Sequence, residues 1–218
     1  THPSELRLSK FLIQHLQPGQ NFADIGAHFG FYSLLAKALI RESGRIISLE
    51  ASPQTFKTLL ANTHHFPQIL PLNLAVGGTS EYLNFYQYKG PYSEYNSFLP
   101  SHHIPEKYCD DTVSFQAQTL TDIFGKYKFQ PNLIKIDVEG TEDSVISGLI
   151  PHFKINKPII IMEYHSDLPH KNASMLLLKN NFSMNLIDGE GLPQKITYPL
   201  EFMAEKKDDS DNIVFLPL

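Results

Sequence analysis

A short apolar run, a glycine-containing turn and a helical pattern follow one another close to the start of the chain. The run at 21–23 leads into Asp24-Ile25-Gly26-Ala27-His28-Phe29-Gly30, and the apolar-rich stretch 31–36 comes next. This order is typical of the strand, loop and helix that open a nucleotide-binding βαβ unit. Gly26 and Gly30 lack a Cβ, so the backbone can turn tightly here and approach a ligand closely. The spacing is G-x-x-x-G and an acid opens it, which favours a cationic or hydroxyl-rich ligand over a pyrophosphate.

Two further strand patterns also end in acids. Residues 45–50 (RIISLE) form a second strand that ends at Glu50, twenty residues after Gly30. A carboxylate at that place can accept hydrogen bonds from both hydroxyls of a ribose. Residues 133–140 (LIKIDVEG) form another strand pattern. Because the carboxyl ends of parallel strands meet at one edge of a sheet, that edge is expected to gather Asp24, Glu50, Asn73, Asp137 and Glu163.

Strand and helix patterns alternate along the chain, as a parallel, doubly wound sheet requires. Helices are predicted at 1–18, 31–40, 119–127 and 172–181, after Ser52-Pro53, and from a cap at Thr141; strands are predicted at 22–24, 69–76, 158–163, 183–187 and 213–216. The first helix is expected beside the first strand, either as a plain cover or closing over a cofactor. Phe56, Leu59 and Leu60 are predicted to face inward from the helix after Ser52-Pro53. Met175, Leu176 and Leu178 are predicted to face inward from the helix at 172–181.

An insertion interrupts this alternation at 82–118. Residues 82–88 and 112–118 alternate between apolar and polar side chains, which predicts the two strands of a β-hairpin. The long stretch between them is rich in aromatic, proline, serine and histidine residues. A loop of this length is usually functional or disordered. It is expected either to contact a sugar or polyol or to serve as a lid without direct contact.

Composition narrows the class of protein. The chain has 218 residues, 42% hydrophobic and 19% charged, which predicts a single globular domain over 1–218. A net charge of −5 argues against a nucleic-acid partner, and no apolar run has the twenty or so residues that a membrane span needs. The single cysteine, Cys109, excludes an internal disulfide framework. A cytoplasmic location is therefore the default expectation, and the oligomeric state is left open.

Six segments, in this order, resemble the FkbM family of S-adenosylmethionine-dependent methyltransferases: DIGAHFGFYS, LEASPQTF, NSFLP, TLTDIF, NLIKIDVEGTEDSVISG and IIIMEYHSD. The resemblance covers roughly Phe22 to Ser183. It implies an α/β, Rossmann-like class I methyltransferase sheet, mostly parallel with an antiparallel last strand, to which the inserted hairpin is added. It also implies S-adenosylmethionine as cofactor and a small-molecule or glycan hydroxyl as acceptor. His28 departs from the residues that similar chains carry at its position.

The resemblance and the strand ends together predict a cofactor site. Glu50 is expected on the ribose hydroxyls, the turn at Gly26 under the methionine part, and Asn73 and Ala75 near the adenine. Asp24 is expected either to order the turn or to bind the amino group, and His28 either to contact the cofactor's carboxylate or to cap the helix. The full predicted set is Asp24, Gly26, Ala27, His28, Gly30, Glu50, Ala51, Ser52, Asn73, Ala75 and Asp137.

Methyl transfer to a hydroxyl also needs a base. We expect His165 or Glu139 in that role with Asp137 in support, since histidine has a pKa suited to neutral pH. Glu163 is a weaker candidate. Asp137, Glu139, Glu163 and His165 could together suit Mg²⁺ or Mn²⁺. However, the D-x-E spacing places Asp137 and Glu139 on one face simply because alternate residues of any strand do so. No metal site is therefore predicted.

Two other classes of function compete with this one. An NAD-linked oxidoreductase would share the βαβ unit and Glu50, but the third glycine of its fingerprint is missing here. A binding module could keep the fold without turnover. A hydroxyl acceptor is preferred over an amine because residues 137–140 read Asp-Val-Glu-Gly, without the Asn/Asp-Pro-Pro-aromatic turn that similar amine methyltransferases carry.

Overall fold

The computed structural model of the protein describes residues 3–80, 82–88, 109–138, 140–165, 167–205 and 211–218. The strands are β1 (Phe22–Ile25), β2 (Ile46–Leu49), β3 (Ile69–Leu72), β4 (Tyr82–Tyr88), β5 (Cys109–Gln116), β6 (Leu133–Ile136), β7 (Ile159–Tyr164), β8 (Phe182–Ile187), β9 (Pro193–Lys195) and β10 (Asp211–Pro217). The helices are α1 (Pro3–His15), α2 (Phe31–Ile40), α3 (Pro53–Thr63), α4 (Leu120–Lys126), α5 (Glu142–Leu149), α6 (Leu168–Lys179) and α7 (Pro199–Glu205). A 3-10 helix, Ile150–Lys154, follows α5.

Eight of the strands form one sheet in the order β3-β2-β1-β6-β7-β10-β8-β9. The pairs from β3 to β7 are parallel, whereas β10 runs antiparallel to both β7 and β8. The fold class predicted from the sequence is therefore confirmed, including the antiparallel last strand. The chain builds the sheet outward from β1 in one direction and then, from β6, in the other. The switch point between β1 and β6 is where sheets of this kind bind their ligands.

Both faces of the sheet are covered, which explains why its strands are almost continuously apolar. On one face, Phe22 and Leu133 pack in a cluster with Phe11 of α1 and Ile40 of α2. On the other face, the cluster includes side chains of α4, α5 and α6. Because successive residues of a strand point to opposite faces, Asp24 shares the α1 and α2 face with Phe22.

The inserted strands β4 and β5 pair antiparallel in a separate two-stranded sheet. The second strand lies three residues earlier than predicted at its start, at Cys109–Gln116. A parallel bridge between Val76 and Gln118 links the end of this insertion to the main body. Most of the aromatic-rich stretch between the strands, 89–108, lies outside the described residues, as does Glu139. Within the described ranges, no helix is both long and apolar enough to cross a bilayer.

Several boundaries predicted from the sequence were wrong. The third strand ends at Leu72 rather than at 76, and β9 and α7 were not predicted. Helix α6 begins at Leu168 instead of 172, because the Asp167 side chain accepts the backbone N–H of His170 and starts the helix earlier. Its buried side chains are His170, Ala173, Ser174 and Leu177, whereas those predicted are only partly buried.

The predicted inward face of α3 was also wrong in part. The buried residues of this helix are Thr55, Leu59 and Thr63, while Leu60 is exposed. The predicted start was right, since Ser52 caps α3 by accepting the Thr55 N–H.

Candidate active site

The turn after β1 is held between the ends of two neighbouring strands. The Gly26 and Ala27 N–H groups donate to the Leu49 carbonyl oxygen at 3.0 and 2.9 Å. Gly26 has φ +76, and a Cβ placed there would lie 1.7 Å from the Asp137 carbonyl oxygen. The backbone of β6 therefore passes directly behind the turn, in a space that only glycine leaves free.

Helix α2 begins directly after this turn. Its N-cap residue is Gly30, with φ +91, so His28 does not occupy the capping position. The His28 ring instead stacks on the ring of Phe29, with centroids 3.8 Å apart. Contact between His28 and the cofactor's carboxylate remains a prediction.

Glu50 joins the turn after β1 to the loop after β2. One carboxylate oxygen accepts the His28 N–H and the other accepts the Ser52 N–H, both at 2.9 Å. The side chain is 8% exposed. Burial raises the pKa of Glu50 to about 7, although the hydrogen bonds from Ser52 and His28 lower it in part. Each carboxylate oxygen has a further lone pair, so Glu50 can still accept hydrogen bonds from a ligand.

Asn73 and Ala75 shape the same region from behind. The Asn73 amide donates to the carbonyl oxygens of Glu50 and Ala51, both at 2.8 Å. Ala75 is 1% exposed, and its carbonyl accepts the Gln118 N–H. Asn73 thus fixes the loop that carries Ala51. The expectation that Asn73 and Ala75 lie near an adenine stays a prediction.

Asp24 lies beneath the turn and is fully buried. The Ser33 hydroxyl donates to its carboxylate at 2.6 Å and also contacts the Ser48 hydroxyl at 2.7 Å. Burial raises the pKa of Asp24, and the nearby Lys135 ammonium and the Ser33 hydrogen bond oppose the rise. A carboxylate without exposed surface suits the ordering of α2 and the turn better than direct binding of an amino group.

Lys135 is a charged residue at this edge that the sequence interpretation missed. It is 3% exposed in the middle of β6, and its Nζ lies 2.9 Å from Asp137 Oδ2 and 3.9 Å from Asp24 Oδ1. The ammonium also lies 5.2 Å from the centroid of the Tyr32 ring. Burial lowers the pKa of Lys135, but the two carboxylates raise it well above its ordinary value. The signal in the sequence was a single lysine within an otherwise apolar strand.

Asp137, Glu163 and His165 meet where β6 and β7 end. Burial raises the pKa of Asp137, but Lys135 and contact with the Glu163 carboxyl group hold it below its ordinary value. His165 Nε2 lies 3.8 Å from Glu163 Oε1, and its side chain is 37% exposed. Burial lowers the pKa of His165, and the neighbouring His170 lowers it further. Asp137 is therefore ionised and His165 uncharged near neutral pH.

Two groups of residues thus share one edge of the sheet. We call them the β1–β2 half (the turn 26–30 and Glu50) and the β6–β7 half (Asp137, Glu163 and His165). Gly26 approaches Asp137, and Lys135 lies between Asp24 and Asp137, so the two halves adjoin. Among the described residues, no three His, Cys, Asp or Glu side chains are arranged to hold a metal ion.

A family model described as "Methyltransferase FkbM domain" matches residues 24–184. This range runs from within β1 to within β8 and contains the polar residues of both halves. No curated protein matches the chain.

Solved structures of methyltransferases share the fold. A methyltransferase FkbM from Methylobacillus flagellatus KT is 15% identical with a TM-score of 0.52, and the match covers 90% of this chain but 43% of that one. An O-methyltransferase from Bacillus cereus in complex with SAH is 12% identical with a TM-score of 0.52, covering 99% and 80%. Fibrillarin from Aeropyrum pernix with natively bound S-adenosyl-L-methionine is 10% identical with a TM-score of 0.55, covering 98% and 76%. The chain thus spans less than half of the Methylobacillus protein and most of the other two.

Proposed function

Because the chain belongs to the FkbM family of S-adenosylmethionine-dependent methyltransferases, we propose that it transfers a methyl group to a hydroxyl of a sugar, glycan or natural product. The cofactor is S-adenosylmethionine, as the resemblance to this family implied. The kind of acceptor and the roles of individual residues are the proposal.

The charge of the sheet edge is the observation that carries this proposal. Among the described residues that end the strands at this edge, Asp24, Glu50, Asp137 and Glu163 contribute four carboxyl groups, against the ammonium of Lys135. Such an excess of acids suits a sulfonium cation and disfavours the pyrophosphate of NAD. Glu50 can accept the two ribose hydroxyls while it holds both loops through the His28 and Ser52 N–H groups. Gly26 and Ala27 bring backbone, without bulky side chains, to the place proposed for the methionine part.

S-adenosylmethionine supplies a methyl group already activated by the positive charge of its sulfur. The chain has to align the acceptor oxygen with that group and to take its proton. Alignment can lower the barrier by about 7–11 kcal/mol in favourable cases. A well-placed base adds roughly 10²–10⁴-fold in rate.

We propose that His165 is this base and that Asp137 supports it. His165 is partly exposed at the edge, and its lowered pKa leaves the ring uncharged and able to accept a proton at pH 7. Asp137 is a weaker base because its carboxylate is stabilised by Lys135. Glu139, the other base candidate, lies outside the described residues and remains an alternative.

Other expectations also remain proposals. They are a single domain over 1–218 with the 82–118 insertion, contact between that insertion and the acceptor, and a cytoplasmic setting without nucleic-acid partners. On β4, Tyr82 is exposed and Tyr86 partly exposed, which supports a contact with the acceptor because aromatic rings stack on sugar C–H faces.

Calorimetric titration with S-adenosylhomocysteine tests the cofactor assignment of Glu50. We expect Glu50→Gln to weaken binding about 10- to 100-fold, because a charged acceptor of two hydrogen bonds is lost. Wild-type affinity should rise as the pH increases through about 7, the pKa of Glu50, and the variant should lack this rise. Glu201→Gln, an exposed glutamate on α7, is the control. Equal affinity of the wild type and both variants for S-adenosylhomocysteine would exclude Glu50 from the site. Binding of NAD instead of S-adenosylhomocysteine would favour the oxidoreductase.

Turnover tests the acceptor class. We expect transfer of labelled methyl from S-adenosylmethionine to at least one member of a panel of glycans and hydroxylated metabolites. With that acceptor, His165→Gln should lower kcat by roughly 10²–10⁴-fold. Tight cofactor binding without transfer to any hydroxyl would instead favour a binding module.

A further inference from the structure

His170 is buried next to the β6–β7 half, at the start of α6. It is 1% exposed, and each of its ring nitrogens faces a carboxylate. Nδ1 contacts Asp167 Oδ1, and Nε2 lies 3.4 Å from Glu142 Oε2. An imidazole with a carboxylate close to each nitrogen is favoured as a cation, since both acids attract its positive charge.

The surroundings keep this ring charged at neutral pH. Burial lowers the pKa of His170, but the Asp167 and Glu142 carboxylates outweigh it and raise the pKa to about 10. The Asp167 side chain also accepts the His170 backbone N–H, so the same acid starts α6 and fixes the ring. His170 is thus an integral part of the fold at this place.

Glu142 carries the effect of His170 to the turn after β6. Its carboxylate accepts the Gly140 N–H at 3.1–3.2 Å and lies 3.4 Å from the Val138 N. Thr141, the N-cap residue of α5, makes no capping hydrogen bond with its side chain. The turn that follows Asp137 is therefore held by Glu142, and Glu142 is 1% exposed and faces His170.

His170 also faces His165 directly. The two rings meet edge to face with centroids 5.0 Å apart. The other charged groups around His165 are Asp137 of β6, Glu163 of β7, Glu142 of α5 and Asp167. All four are acids, which would favour a charged His165. His170 is the cation that opposes them among the described groups that act on this ring.

We propose that His170 is a positioning residue, which fixes the turn after Asp137 through Glu142 and keeps the His165 ring uncharged by its own positive charge. The inference rests on the proposed function in that His165 is taken as the base. It assigns a role to α6, which contributes no side chain to either half of the site.

Histidine NMR tests this without an acceptor. The protein is labelled with [¹³Cε1]-histidine, and the ten histidines are titrated from pH 5 to pH 11, with His165→Gln and His170→Gln used for assignment. In the wild type we expect His170 to stay protonated until about pH 10 and His165 to titrate below its ordinary 6.5. A wild type in which none of the ten histidines stays protonated to about pH 10 would overturn the proposal, and this result needs neither assignment nor a folded variant.

The pKa of His165 in the His170→Gln variant is the second measurement. In His170→Gln the pKa of His165 should rise by about 1 or more, since a unit charge some 5 Å away is lost while the acids remain. Amide hydrogen exchange of Gly140 should also accelerate. The control is His152→Gln, because His152 is buried at 3% exposure against Phe124, on the 3-10 helix after α5. An unchanged His165 in folded His170→Gln would overturn the proposal.

With an acceptor in hand, the acid limb of the kcat profile should move to higher pH in His170→Gln and stay in place in His152→Gln. Failure of the proposed function has a different signature. In that case S-adenosylhomocysteine titrations or turnover fail in the wild type, while the NMR titrations of His165 and His170 are unaffected.

Discussion

The β1–β2 half and the β6–β7 half adjoin at one sheet edge, yet they are built differently. In the β1–β2 half, backbone N–H groups and one carboxylate define the geometry, since Glu50 accepts hydrogen bonds from the N–H groups of His28 and Ser52. In the β6–β7 half, titratable side chains from separate elements set each other's charge, as His170 of α6 does for His165. The first half depends on backbone shape, and the second depends on charge balance.

The backbone-dependent half gives the largest expected effect. Gly26→Ala should destabilise the protein by about 4 kcal/mol or more, because a Cβ would lie 1.7 Å from the Asp137 carbonyl oxygen at φ +76. Urea denaturation measures the change. Gly189→Ala is the matched control, since its Cβ would meet no atom within 4 Å. A Gly26→Ala protein as stable as this control would show that the turn can shift, and the contrast between the halves would fail.

Lys135 joins the two halves and gives the next effect. Lys135→Met should lower the free energy of unfolding by about 3–5 kcal/mol at pH 7, because Asp24 and Asp137 lose their cation inside the protein. The difference in free energy of unfolding between the wild type and Lys135→Met should shrink as the pH falls, since protonation of the unpaired carboxyl groups removes the buried negative charge. Urea denaturation at pH 7 and pH 4.5 measures both values. Lys57→Met, at an exposed site on α3, is the control, and a deficit that grows towards acid pH would contradict the assignment.

The helix starts give the smallest effect and compare the halves directly. Ser52 accepts the Thr55 N–H at the start of α3, so Ser52→Ala should cost about 1 kcal/mol. The buried Thr141 hydroxyl makes no hydrogen bond within the described part of the chain, so Thr141→Ala should cost less than about 0.5 kcal/mol. Equal losses in urea denaturation would mean that the two halves fix their helices in the same way.

The sequence alone predicted those residues of the site whose identity follows from the local backbone geometry. The glycines of the turn, the acid at the end of β2 and the Ser-Pro start of α3 each serve a geometry that neighbouring residues already define. At Thr141 the same reasoning predicted the start of α5 and its N-cap residue correctly, but the capping hydrogen bond is absent. A serine or threonine before two acids is a typical cap, but here the Glu142 side chain reaches the turn first.

Charge balance could not be read in this way. Lys135 and His170 each have one acid close by in the chain, Asp137 and Asp167. The second acid of each comes from another element, Asp24 of β1 or Glu142 of α5, and no spacing along the chain predicts that contact. The inward faces of α3 and α6 were predicted only in part, since Leu59 is buried and Met175, Leu176 and Leu178 pack against the core, but the most buried polar residues were missed. Small polar residues such as Thr55 and Ser174 are buried there because the helices pack closely, whereas the interpretation searched for large apolar side chains.

The position of β10 has a consequence for folding during synthesis. Residues 211–217 fill the gap between β7 and β8, and β9 reaches the rest of the sheet only through β8. Until these residues leave the ribosome, a nascent chain carries two apolar strands with open edges. Such edges pair readily with other chains, so we expect the unfinished protein to need chaperone protection that the completed one does not.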